Sequence, residues 1–74
     1  MRDNKKAKRF IKLLTPYKEI LAKYLLKQTL NREDAHDLFQ DTVEIAFKNL
    51  EQLKDENSFK PWLFKCARTA IAQR

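Results

Sequence analysis

The sequence predicts an all-α fold, a compact domain of three to four helices, on three observations. Glycine is absent from the 74 residues and proline occurs only at Pro16 and Pro61, which removes the residues that hairpins and left-handed turns use most. Apolar residues recur at spacings of three and four over most of the chain, the period of one helix face. With 43% hydrophobic and 35% charged residues, the composition lies far from disordered and membrane classes, so the chain is expected to fold in water. One domain over residues 1–74 is the expected organisation, close to the lower size limit for a single core and therefore of modest stability.

Each helix has its own signature. Residues 4–14 form a basic stretch with Phe10, Ile11, Leu13 and Leu14 as its apolar part, which predicts a short N-terminal amphipathic helix. Thr15 followed by Pro16 reads as an N-cap and first helical position, since proline has no amide hydrogen to lose there. Tyr17, Ile20, Leu21, Tyr24 and Leu25 then share one face, expected to be core. Asn31 with Asp34 three residues on resembles a capping box and starts a third helix, running from Arg32 to about Leu50. Ala35, Leu38, Phe39, Thr42, Ile45, Ala46 and Leu50 make its buried stripe, widened by Val43 and Phe47. Residues 51–57 are polar with Leu53 as the anchor, so the pattern lapses into a loop. Ser58, or alternatively Asn57, caps the last helix, whose first turn tolerates Pro61. Phe59, Trp62, Leu63, Cys66, Ala67, Ala70 and Ile71 are its apolar stripe.

Composition also narrows function. The single cysteine, Cys66, cannot form an internal disulfide and no secretory signal is evident, so the expected compartment is the cytoplasm. No apolar run approaches the roughly 20 residues that cross a bilayer, so no membrane role is expected. A formal charge of +6 points to a polyanionic partner. Its distribution says more: residues 1–27 hold nine basic and two acidic groups, residues 28–44 one and five, and residues 45–74 six and three. An acidic island sits between two basic ends.

That island is ordered. Asp34, Asp37, Asp41 and Glu44 recur at three, four and three residues and line one side of the third helix. Like charges at this spacing cost a few tenths of a kcal/mol per pair in an isolated helix, which suits either a basic partner surface or a solvated face. His36, Asp37 and Gln40 lack any ordinary zinc-ligand spacing, so no metal or other cofactor is expected. With no nucleophile paired to a base by motif and no glycine-rich phosphate loop, no enzyme is expected either. The second constellation spans residues 54–69, where Lys54, Asn57 and Ser58 lead into a helix carrying Lys60, Lys65, Arg68 and Thr69 off its core side. Phe64 falls among those cations, outside the apolar stripe, whereas Phe59 and Trp62 are expected in the core. Cations interleaved with an exposed aromatic are what single-stranded nucleic-acid binders use, cations for phosphate and aromatics for unstacked bases. Charge alone would also suit a basic helical nucleic-acid binder of another kind.

The two segments REDAHDLFQDTVEIAFKNL and SFKPWLFKCARTAIAQR, in this order and at this separation, resemble region 2 of extracytoplasmic-function sigma factors. The family pattern is a helix of the form acidic-Ala-acidic-Asp-Leu-x-Gln-acidic-Thr-Phe, then a loop, then Ser-Phe-x-x-Trp-Leu-x-x-Ile-Ala-Arg-Asn. The resemblance covers about residues 17–74 and implies transcription initiation. It implies that the helix bearing Asp37, Leu38, Gln40 and Asp41 docks on the clamp coiled coil of the RNA polymerase β′ subunit. It further implies that residues 53–69 take the minus-ten element of promoter DNA and hold a flipped base of the non-template single strand. Cys66, Thr69 and Gln73 depart from the frequent isoleucine, asparagine and aspartate, and Asp41 from glutamate, which touches the contacts of the last turn above all. Complete members continue into a helix-turn-helix domain, so the chain is expected to be an excised domain or half of a split sigma factor. An anti-sigma factor is the alternative partner for the same acidic face.

Overall fold

The computed structural model describes residues 4–73, which form four α-helices, α1 (Asn4–Leu14), α2 (Lys18–Lys27), α3 (Arg32–Lys48) and α4 (Phe59–Ala72). Three short 3-10 turns, Thr15–Tyr17, Leu50–Gln52 and Glu56–Ser58, lie between them, and there is no strand among the described residues. No described residue has a positive φ, so a chain without glycine makes every turn from right-handed or extended backbone.

The third helix begins as the sequence predicts. Asn31 is extended (φ −152°, ψ 171°) and its side-chain oxygen accepts from the Asp34 amide at 2.8 Å, while Glu33 and Asp34 complement the positive end of the helix dipole. The Thr29 hydroxyl lies 3.1 Å from the Leu25 carbonyl and 3.2 Å from that of Asn31, tying the end of α2 to the start of α3.

Two predicted caps are not used. Thr15 does not cap α2: its hydroxyl donates to the Ile11 carbonyl at 2.7 Å and so belongs to the end of α1. The chain leaves Leu14 in helical geometry, without the extended residue an N-cap requires, and turns instead at Tyr17 (φ −110°, ψ 3°). Pro16 explains the break, because its ring cannot donate to the Lys12 carbonyl and clashes with it. Ser58 and Asn57 likewise make no side-chain cap for α4. Ser58 is the last residue of a 3-10 turn that Asp55 caps by accepting from the Asn57 amide at 3.0 Å.

α3 packs against both α2 and α4. Phe10, Leu14, Leu21, Leu25, Leu38, Ala46, Leu50, Leu53, Phe59, Leu63, Cys66, Ala67 and Ala70 form one buried cluster. Phe59 is its hub: the ring meets Phe10 edge-on at 6.2 Å, stacks on Tyr17 at 6.0 Å, and lies 5.8 Å from Trp62. Phe10 also meets Phe47 edge-on at 5.4 Å, so α1 is fastened to both α3 and α4 by aromatic contact. Thr42, fully buried, satisfies its hydroxyl on the Leu38 carbonyl at 2.7 Å. Ile20, expected in the core, and Ile11, part of the apolar side of α1, lie outside the core. Ile11 is 60% exposed and Ile20 46%, because Phe10 with Leu14, and Leu21 with Leu25, four residues apart, set the inward direction of their helices.

Candidate functional site

The acidic residues of α3 sit on its flank and outer side. Asp37 and Glu44 are exposed, while Asp34 and Asp41 are half-buried. Asp41 and Glu44 line a shallow recess with Ile45 and, from the last turn of α4, Ala70 and Gln73. Gln40 stands on the other side of the stripe, where it lines a groove with Glu44, His36, Phe39 and Val43. Leu38, which the family pattern groups with the acidic residues, is only 3% exposed and packs into the core, where it holds the helix in place. No group of three or more His, Cys, Asp or Glu among the described residues could hold a metal ion.

The second set of candidates is divided by α4. Lys60, Phe64 and Arg68 follow each other at intervals of four along one side of the helix, and Lys65, Thr69 and Gln73 along another. Phe64 shows which way the first row faces, for its ring meets Tyr24 of α2 edge-on at 5.2 Å. It is half-buried rather than the exposed aromatic the sequence suggested, because the Tyr24 ring covers one edge of it. Thr69 belongs to the other row. It lines a recess with Lys6, Glu44 and Lys48, and its hydroxyl turns back to the Lys65 carbonyl at 3.1 Å. The two surfaces therefore meet at Thr69 and Gln73, while Lys60 and Arg68 lie away from the junction. Lys54, Lys60, Lys65 and Arg68 are exposed and make no ion pair among the described residues.

The linker between α3 and α4 is more ordered than a polar loop. Buried Leu53 anchors it, Asp55 holds the Asn57 amide, and the Ser58 amide donates to the Asp55 carbonyl at 2.8 Å. Exposed side chains of Lys54, Asn57 and Ser58 surround this turn. Two ion pairs that no local pattern announces tie α1 to it. Lys6 Nζ reaches Glu51 at 2.9 Å and lies 4.6 Å above the Phe47 ring, and Arg9 Nε donates to Glu56 at 2.8 Å. The hydrogen bond from Lys6, with its own backbone amide and the nearby cations, holds the Glu51 carboxyl below the usual carboxylate range despite its exposure. The sequence signal was only a basic segment and an acidic one, too far apart for a pairing to be assigned. Burial pushes the Cys66 thiol up, against a smaller opposing effect of Lys65, so it is a protonated core group.

Comparison with protein families decides what these surfaces belong to. Residues 13–74 match the Sigma-70 region 2 model. The chain belongs to the Sigma-70 region 2 family. No curated protein and no solved structure matched it. Region 2 domains are non-enzymatic transcription-factor domains of sigma factors, which act in transcription initiation by binding RNA polymerase. The all-α architecture is the one expected of a region 2 domain. The match takes in all of α2, α3, the linker and α4 but only the end of α1, leaving Lys5, Lys6, Lys8, Arg9 and Lys12 outside it. Among the described residues no helix is long and apolar enough to cross a membrane.

Proposed function

We propose that the chain is a region 2 domain of the extracytoplasmic-function subclass, folded as one unit over residues 1–74, that joins RNA polymerase to melted promoter DNA in the cytoplasm. In this reading Asp34, Asp37, Asp41 and Glu44, with Gln40 beside them, dock on the clamp coiled coil of the β′ subunit. Residues 53–58 receive a base extruded from the non-template strand of the minus-ten element, and Lys54, Lys60, Lys65 and Arg68 hold the adjoining phosphates. Extruding a base costs a few kcal/mol of stacking, which contacts to base and backbone offset.

One observation carries the reading. Carboxylates of α3 adjoin the last turn of α4, whereas Lys60 and Arg68 stand in the row marked by the Phe64–Tyr24 contact, without ion-pair partners among the described residues. The acidic row and the exposed cations Lys60 and Arg68 lie on different helices, which supports two partners of opposite sign. The test is charge reversal of Asp37 and Asp41 to Lys. Like charges facing the basic partner cost several kcal/mol, so affinity for core polymerase is expected to fall by about a hundredfold or more with helicity unchanged. Wild-type affinity in a folded variant would end the polymerase half of the proposal.

The exposed apolar surface beside α3 favours a second reading. Leu30 is 99% and Leu26 44% exposed, and Leu26 lines a groove with Ala22, Arg32, Ala35, His36 and Phe39. An anti-sigma factor covering this groove and the neighbouring acidic face would compete with polymerase. Copurification separates the readings: polymerase subunits support the first, a lone small inhibitor the second.

A further inference from the structure

α1 carries a charged side of its own. Lys5, Lys8, Arg9 and Lys12 follow at spacings of three, one and three, which gathers them on one side of the helix, while Phe10 and Leu14 are buried on the other. These cations are not equivalent. Arg9 is engaged by Glu56, but Lys8 and Lys12 make no ion pair among the described residues. Lys8 and Lys12 instead form, with Arg9, one wall of a groove whose floor and far wall include Pro16, Tyr17, Glu56 and Phe59. The Tyr17 ring is half-exposed there, stacked on Phe59 at an interplanar angle of 28°. Three cations thus face one carboxylate, and Arg9 neutralises that carboxylate directly.

We propose that this groove, between α1 and the Glu56–Ser58 turn, binds the sugar–phosphate backbone of the unpaired DNA strand as it leaves the linker, with Lys8 and Lys12 on its phosphates. The inference deepens the DNA half of the reading above and rests on it. Three features argue for it. The groove opens directly beside the linker turn, so a strand held at residues 53–58 needs no detour to enter it. Lys8 and Lys12 lie one helical turn apart, about 6 Å along the axis, which suits successive phosphates of an extended strand. A cationic rim over an aromatic floor is the arrangement that tracks single strands without reading their sequence. The Arg9–Glu56 pair keeps the one carboxylate of the groove from repelling the strand.

The test measures binding of a short fluorescein-labelled A/T-rich single-stranded oligonucleotide to the whole chain by anisotropy over a range of salt. Each lost phosphate contact lowers the slope of log affinity against log salt by about 0.7, so K8Q/K12Q is expected to flatten it by about 1.4 and weaken binding at low salt. K8R/K12R, which keeps both charges, is expected to retain the wild-type slope. K60Q/R68Q serves as the separate probe of the α4 surface. A wild-type slope in K8Q/K12Q, with a flattened one in K60Q/R68Q, would overturn the groove and leave the α4 reading standing. Absence of salt-dependent binding by the wild-type chain would overturn both. Circular dichroism and thermal midpoints matching wild type in each variant establish that the fold is retained.

Discussion

Two groups of cations in this molecule are used in opposite ways. Lys6 and Arg9 of α1 reach across to Glu51 and Glu56 and bind the linker to the rest of the fold. Lys60 and Arg68 of α4 carry the same charge on a helix of similar length but make no ion pair among the described residues. The first group serves the architecture, and the second is available to a partner. Net charge cannot separate these roles; only the position of the nearest carboxylate does.

The comparison depends on α1 and α4 being held in one frame, and Phe59 is where that frame is joined. Phe59→Ala is expected to cost about 3–5 kcal/mol in urea denaturation, enough to unfold much of so small a protein and dissolve the distinction between the two groups. A loss under about 1 kcal/mol would mean that the aromatic cluster is not what holds α1 in place. A smaller effect is expected for the architectural pair. In a double-mutant cycle on Arg9→Gln and Glu56→Gln the coupling should be about 0.2–1 kcal/mol and shrink with salt, as for exposed ion pairs generally.

The smallest effect is that of pH. The folded carboxyl of Glu51 titrates below its unfolded value, chiefly through the Lys6 hydrogen bond. Its contribution is therefore present above the unfolded carboxylate range and is lost as pH falls through the lower folded value. Glu51→Gln should flatten the acid limb of the stability curve slightly. An unchanged limb would remove Lys6–Glu51 from the architectural group.

Much of the frame was legible in the residues. Asn31 and the stripe of α3, and the Phe59, Leu63, Cys66, Ala67, Ala70 series of α4, follow from capping and helical period, which are local properties. What escaped was set by contacts between elements. Thr15 and Ser58 are good cap residues, but each lies inside a 3-10 turn, which denies it the extended backbone a cap needs. Phe64 lies off the stripe on a helical wheel, yet Tyr24 of α2 meets its ring edge-on. Leu38 lies in the core as its place on the stripe predicts, although the family pattern sets it among exposed residues. The pairs Lys6–Glu51 and Arg9–Glu56 needed a folded chain to be seen at all, as did the groove beside α1 that Arg9 and Glu56 help to line.

The most direct measurement is a crossed one, in which D37K/D41K and K60Q/R68Q are each titrated against core polymerase and against single-stranded oligonucleotide. The division of surfaces predicts that the first variant loses polymerase and keeps DNA binding, while the second keeps polymerase and loses part of its salt-dependent DNA affinity. If either variant weakened both interactions equally with its helicity intact, the two charged surfaces would be one site, and the account given of them would be wrong.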